Sequence, residues 1–274
     1  MKLIGIGDNV VDYYQDQGLM YPGGNALNVA VASKRNGASA CAYLGIVGDD
    51  AAAEHVVKCM VEEGIDMSRI RQAYGPSGEA VVALDEEGDR IFVGTNRGIR
   101  VQSLLMLQLT QTDIDYINEY DVVHMSVNSD IEHELFRLAH KPLSFDFSTT
   151  KRWDKAYLQR VCPYLTYAFF SGSDMSHGEI SVLFKDVHQL GVKVAGVTRG
   201  AAPAVFSEDG IIFSQPHTTG NVVDTMGAGD SFIGGFLAHY HEHRDVKAAL
   251  LQASRSAAVT CGYYGAFGHG KKKQ

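Results

Sequence analysis

The stretch Asp224-Thr-Met-Gly-Ala-Gly-Asp230, running on into Ser231-Phe-Ile-Gly-Gly-Phe-Leu, holds residue types that phosphoryl chemistry needs. Gly227-Ala228-Gly229 is a small-residue turn opening a helical pattern, and the first N–H groups of a helix have no partner inside it. Those donors, with the positive end of the helix dipole, suit an anion. Glycine lets the backbone approach a phosphate with no Cβ in the way. Asp230 falls in the first turn of that helix, where a carboxylate can accept the proton of an attacking hydroxyl. A plain tight turn with an acidic first helical turn would look the same in isolation, since glycine-rich matches occur by chance. A second group makes the pattern more informative. Asp8, Asp12, Gly23-Gly24-Asn25 and Asn28 collect carboxylates and amides near the N-terminus, as recognition of several sugar hydroxyls requires.

The elements that position these groups read as alternating strands and helices, the mark of βαβ units and a mostly parallel sheet. Candidate strands are 2–7, 40–47, 121–126, 143–147, 167–171, 192–197, 204–207 and 211–215. Helical patterns cover 49–63, 131–140, 155–161 and 179–190, and two more, 228–241 and 246–261, close the chain. Residues 77–95 break the alternation and predict a β-hairpin with a Gly-containing turn. With the extended stretch 10–20 they form a small sheet standing off the main one, a natural lid to keep water from a phosphoryl-transfer site. Ligands bind beyond the carboxyl ends of parallel strands, and there the chain puts Asp8 and Asp12, Asp146, Ser148 and Thr149, Asp174, and Thr198-Arg199-Gly200.

The two signatures, in this order and separation, resemble those of the ribokinase-like (PfkB-type) carbohydrate kinases, over essentially residues 1–267. Gly23-Gly24-Asn25-Ala-Leu-Asn28 is similar to the N-terminal signature and Asp224–Asp230 to the C-terminal one. The resemblance implies a three-layer α/β fold with a mostly parallel central sheet and a β-sheet lid at about 10–21 and 77–97. It also implies an ATP site near Asp224 and Thr225, with Mg²⁺ assistance, an anion hole at Gly227, Ala228 and Gly229, and Asp230 as base. Asp12, Gly24 and Asn28 match positions that contact the acceptor, with Asp8 and Gly23 beside them. Gly7-Asp8-Asn9, Phe145-Asp146-Phe147-Ser148 and the methionine of Asp224-Thr-Met resemble the fructoselysine 6-kinase branch most. That branch phosphorylates the 6-hydroxyl of a fructose joined to an amine. Fructokinase, ribokinase and nucleoside kinase remain alternatives, as does a sugar or nucleotide sensor that kept the cleft and lost the chemistry.

The chain departs from the family pattern at two places. Where many members carry Asn-x-x-Glu, organising Mg²⁺ through water, this one has Ser171-Gly172-Ser173-Asp174, leaving Asp174 as the metal-side candidate. Thr-x-Gly-x-x-Gly becomes Thr198-Arg199-Gly200-Ala201-Ala202-Pro203, which keeps Thr198 and Gly200 for the nucleotide and adds Arg199, a charge able to meet phosphates. Arg97, following the hairpin, is placed to reach the distal part of an acceptor and to favour a carboxylate there. Residues 254–261 are expected to line the adenine.

Other signals carry less. Gly5-Ile-Gly7 lacks the third glycine of a dinucleotide loop and has an aspartate where a pyrophosphate would lie. His239 and His243 have metal-ligand spacing without a third ligand, and read as the end of a solvated helix. With net charge −8 and pI about 5.7 there is no basic patch for nucleic acid or an anionic membrane. Four scattered cysteines without a C-x-x-C motif fit a reducing, cytoplasmic setting. Residues 268–274, with Lys271 to Lys273, read as a frayed tail. The lid's edge is expected either to pair with a second subunit or to be blunted by Glu86, Glu87 and Asp89.

Overall fold

The computed structural model describes residues 1–84 and 90–273. The chain begins β1 (Lys2–Gly7), β2 (Val10–Tyr14), β3 (Leu19–Gly23), α1 (Asn25–Arg35), β4 (Ala40–Val47), α2 (Ala51–Glu62) and β5 (Arg71–Gln72). Next come β6 (Glu79–Leu84), β7 (Arg90–Thr95), α3 (Val101–Leu104), α4 (Gln111–Ile117), β8 (Val122–Ser126), α5 (Leu135–Leu138) and β9 (Leu143–Thr149). Then follow α6 (Lys155–Val161), β10 (Tyr167–Ser171), α7 (His177–Gln189), β11 (Val194–Arg199), β12 (Ala202–Glu208) and β13 (Ile211–Gln215). The chain closes with α8 (Ala228–His243), α9 (Val246–Thr260) and β14 (Lys271–Lys272).

The large sheet has the order β13-β12-β11-β10-β9-β8-β1-β4-β5. Its pairs are parallel from β5 to β11, while β12 and β13 add an antiparallel edge. Alternate residues of each strand feed two cores, because successive side chains leave opposite faces of a pleated strand. Ile4, Ile6, Ala42, Leu44 and Phe145 pack on one face with helices α4 to α7. Leu3, Cys41, Tyr43 and Phe169 pack on the other with α1, α2, α8 and α9. Helix–sheet–helix layering follows from strands that are apolar on both sides. From β1 the sheet order runs one way to β4 and the other to β8, so the β1–β8 junction is the switch point where open α/β sheets bind ligands.

A second sheet, β14-β3-β2-β6-β7, stands over that end. The stretch read as simply extended is a hairpin, β2 paired antiparallel to β3, and β2 joins the 77–95 hairpin through a parallel pairing with β6. The charges expected to blunt its edge, Glu86, Glu87 and Asp89, lie outside the described residues.

Two expectations need correcting. The segment read as a frayed tail is built into the structure: Lys271 and Lys272 pair with Met20 and Leu19. His269 contacts Glu62 and Glu63, and Lys273 contacts Glu79. The outer edge of β3 would otherwise leave backbone donors and acceptors unpaired, and the tail supplies them. The helix expected over 131–140 is a 3₁₀ turn, Glu132–Glu134, and the single turn α5. Glu134 accepts from the Leu109 backbone N–H and Arg137 donates to the Leu109 carbonyl, so side chains at this turn tie down a neighbouring loop.

Candidate active site

Asp8 follows the last residue of β1, at the switch point. Its carboxylate accepts from the Asn25 and Ala26 backbone N–H groups, at 2.7 and 3.3 Å, and from the hydroxyls of Ser126 and Ser129. It therefore caps α1 from outside the helix, since the N-cap residue, Gly24, has no side chain to do so. Gly24 sits at φ 106°, and a Cβ there would lie 2.6 Å from the Asn9 Cα. Only glycine lets β3 turn into α1 this close to β1. Asp8 lines the cavity, as the sequence suggested, but its carboxylate is committed to holding α1 in place.

With α1 fixed, Asn25 and Asn28 point at Asp230 in the first turn of α8. Asn25 Nδ2 donates to Asp230 Oδ1 at 2.7 Å, and Asn28 Nδ2 donates to Oδ2 at 2.6 Å. Asn25 Nδ2 also donates to Asp146 Oδ2 at 2.7 Å, and the Ser148 N–H donates to the other oxygen of Asp146. Both amide protons of Asn25 thus face carboxylates, which leaves its Oδ1 to accept. The partner of that oxygen, 2.9 Å away, is His124 Nε2, so the imidazole proton is on Nε2 and Nδ1 accepts from Ser144 Oγ. Burial holds this histidine neutral, its pKa lowered to about 3.

The carboxylates respond to the same enclosure. Burial raises the pKa of Asp146 to about 7, and the charge on Asp230 adds to the effect. Burial likewise raises Asp230 to about 6, opposed by the hydrogen bond from Asn28 and assisted by the charge of Asp8. The Asn28 Oδ1 is buried without a partner among the described residues.

The first turn of α8 separates two cavities. Gly227, Gly229 and Asp230 face one of about 360 Å³, shared with Asp12, Asn28, Asp146 and Arg100. Thr225 and Ala228 face the other, of about 290 Å³, which Thr198, Arg199 and Gly200 border at the end of β11. Gly227 adopts the left-handed conformation (φ 71°), and a Cβ on it would come within 2.5 Å of the Ala266 side chain. Outside its own helix backbone and chain neighbours, no atom of the described residues lies within 4 Å of where a Cβ on Gly229 would stand, so its backbone is open to the cavity. Phe232, Val222 and Ala257 give the second cavity an apolar wall, with Ser254 and Cys261 from the segment expected to line adenine. The Nε of Arg199 is buried there without a partner among the described residues.

Several expected residues do other work. Asp224 borders neither cavity. It accepts from the Tyr14 hydroxyl and from the N–H groups of Met226 and Gly265, bracing the loop before α8 against β2 and the 265 loop. Asp12 is buried in the first cavity, its Oδ2 lying over Gly23, where a Cβ would stand 2.4 Å from it. Asp174 is exposed, 3.4 Å from the Thr150 hydroxyl and outside both cavities. Arg97 pairs with Asp130 at 3.0 Å and does not border the acceptor-side cavity; Arg100, three residues on, does. Among the described residues no three His, Cys, Asp or Glu side chains converge to hold a metal, His239 and His243 included. None of the described helices is long and apolar enough to cross a membrane.

His124 and Arg100 were not singled out from the sequence, and Asn25 and Asp146 were noted among its polar groups without being given a role. Asp146 carried a signal in its position at a strand end, and Asn25 lies inside the N-terminal signature. His124 carried none, because a single histidine in an apolar strand more often packs than acts.

A glycine-flanked helix N-terminus beside a buried carboxylate, between an apolar cavity and a polar one under a β-lid, defines a site for moving a phosphoryl group between two small molecules. The pfkB family carbohydrate kinase model matches residues 1–269, and the chain belongs to that family. It is 51% identical over 271 residues to the fructosamine kinase FrlD of Bacillus subtilis strain 168, covering 98% of this chain and 94% of that protein. It is 31% identical over 264 residues to the fructoselysine 6-kinase of Escherichia coli K12, covering 96% and 98%. A crystal structure of fructokinase with bound ATP from Xylella fastidiosa shares the fold at a TM-score of 0.79 and 19% identity, covering 97% and 94% of the two chains. The protein is a sugar kinase.

Proposed function

We propose that the protein transfers the γ-phosphoryl group of ATP to the 6-hydroxyl of a fructosamine, a fructose unit joined to an amine. The observation that carries the mechanism is the position of Asp230, held by two amides at the boundary between the two cavities. The kinship to a fructosamine kinase and a fructoselysine 6-kinase supports the acceptor class.

In this reading ATP occupies the cavity bordered by Thr198, Arg199, Gly200 and Thr225, with its phosphates toward the α8 N-terminus. The acceptor lies in the polar cavity, where Asp12 and the unpaired Oδ1 of Asn28 accept from sugar hydroxyls. Asp230, ionised at neutral pH with its pKa near 6, orients the 6-hydroxyl and takes its proton as the oxygen attacks in line. The N–H groups of Gly227, Ala228 and Gly229 receive the charge that spreads over the transferring group. Mg²⁺, which usually keeps several waters and binds through substrate phosphates, would arrive on the nucleotide and neutralise phosphate charge. Among the described residues no three side chains converge to hold it, and Asp174, the metal-side candidate from the sequence, is exposed and outside both cavities, so no share in holding the ion is assigned to it. The small sheet serves as the lid that excludes water as a competing acceptor.

We further propose that a second copy covers the outer face of the lid, where Ile91 is 42% and Val93 50% exposed. Sedimentation of the wild type against Ile91→Asp checks this, and a monomeric wild type would exclude it.

The test of the activity is ADP release with Mg-ATP across fructose, ribose, adenosine, fructoselysine and other glycated amino acids. Turnover confined to the glycated amines supports the proposal. Preference for free fructose or a nucleoside would reassign the acceptor, and binding without turnover on the whole panel would make the protein a sensor.

A further inference from the structure

Arg100 is the one arginine bordering the acceptor cavity, among the described residues. Its side chain is only 6% exposed, and its stem lies against Gly78, whose missing Cβ would stand 3.4 Å from the arginine Cδ. Its Nε donates to Ser103 Oγ at 2.8 Å. The two terminal nitrogens make no hydrogen bond among the described residues. The nearest carboxylate oxygen, on Asp130, is 4.0 Å away, and the other oxygen of Asp130 already accepts from Arg97.

A guanidinium only 6% exposed, whose terminal nitrogens meet the cavity and make no hydrogen bond among the described residues, is completed by a planar anion that takes two parallel bonds. The phosphates of ATP are poor candidates. The nucleotide cavity lies on the other side of the α8 first turn, while Arg100 shares its cavity with the lid residues Ala80, Phe92 and Thr95. Sugar hydroxyls meet other partners there, at Asp12 and Asn28. The cavity holds four carboxylates, Asp8, Asp12, Asp146 and Asp230, so an acceptor carboxylate would be repelled everywhere except beside Arg100.

We infer that Arg100 is a specificity residue, forming a paired hydrogen bond with the carboxylate of the amino acid joined to the fructose unit, so that glycated amino acids are favoured over uncharged glycated amines. This inference rests on the proposed fructosamine acceptor. It moves the carboxylate contact from Arg97, where the sequence suggested it, to the arginine three residues further along.

The experiment compares fructosylglycine and fructoselysine, each with its own carboxamide, in which the charge is removed and the shape kept. For wild-type enzyme, kcat/KM for the better carboxylate substrate is expected to exceed that for its carboxamide by about 10- to 100-fold, the range of a hydrogen-bonded charge. In Arg100→Gln that ratio collapses to within about threefold, and Arg100→Lys retains an intermediate ratio because it keeps the charge without the fork. Arg97→Ala leaves the ratio as in wild type. Melting curves confirm that the variants are folded, and the wild-type ratio is informative without them. A wild-type ratio near one, or a ratio that survives in Arg100→Gln, overturns the assignment of Arg100. If wild type phosphorylates none of the four compounds, the fructosamine reading itself falls and takes this inference with it.

Discussion

The two cavities on either side of the α8 N-terminus are built from different materials. The polar one is made of side chains that hold one another: Asp8 fixes α1, Asn25 and Asn28 hold Asp230, and His124 fixes the orientation of Asn25. The other is bordered by Gly200, Ala201, Ala228, Val222, Ala257 and Ala258, small or apolar groups that define a shape. A site for a chemically reacting, hydroxyl-rich molecule needs donors and acceptors set before it arrives. A flat heterocycle with a phosphate tail needs a slot and a helix end. The polar side should therefore be sensitive to isosteric changes, and the nucleotide side to changes in volume.

Damage at the wall itself should be largest. Gly227→Val puts a β-branched residue at a left-handed position and drives its Cβ toward Ala266, displacing the N–H groups that face the phosphoryl group. A loss of about 10³ in kcat is expected, as for removal of preorganised oxyanion donors. A near-normal kcat would detach the helix end from the chemistry.

On the polar side, Asn28→Ala removes one of the two amide donors to Asp230. The donor favours the charged form, so its loss raises the Asp230 pKa above about 6. The acid limb of kcat moves to higher pH by about one to two units, taking about 1.5–3 kcal/mol for a hydrogen bond to a charge at 1.36 kcal/mol per unit. Activity at pH 6 then falls by about 5- to 50-fold and recovers toward pH 8 and above. A uniform loss at every pH would mean that Asn28 serves only to bind the acceptor.

On the nucleotide side, Ala257→Leu narrows the apolar slot, and the KM for ATP should rise by about 10-fold, an overpacking cost of 1–3 kcal/mol. The acceptor KM should stay within a factor of about three, and equal rises in both would deny the separation of the cavities. The smallest effect is at the C-terminal strap. Lys273→Ala breaks a partly exposed ion pair with Glu79, worth about 0.2–1 kcal/mol, so Tm should fall by no more than about 4 °C.

The same contrast decides what was legible in the sequence. Strand positions were readable to within a residue or two, since apolar runs such as 2–7, 40–47 and 167–171 match β1, β4 and β10. The C-terminal signature pointed to the α8 N-terminus and to Asp230 because glycine spacing is local information. The polar network was not readable, because its bonds join residues 99, 121 and 205 positions apart. No local pattern says that Asn25 will touch His124, Asp146 and Asp230. Asp224 shows the opposite limit: it stands inside the most informative motif, yet its carboxylate braces Tyr14 and Gly265 and does not border the apolar cavity. Arg97 and Arg100 lie three residues apart in the turn before α3, which sequence spacing cannot orient relative to a cavity formed by distant strands. The strap at 269–273 looked like a tail because its partners, Leu19, Met20 and Glu63, lie more than 200 residues earlier.

The most direct test is the Asp230→Asn variant, with turnover and binding measured separately on a fructosamine accepted by the wild type. The side chain keeps its shape and loses the ability to accept a proton. The account predicts that kcat falls by about 10²–10⁴ while the dissociation constants of ATP and acceptor change by less than about threefold. A variant that turns over at near-wild-type rate would remove Asp230 as the base and contradict the central claim.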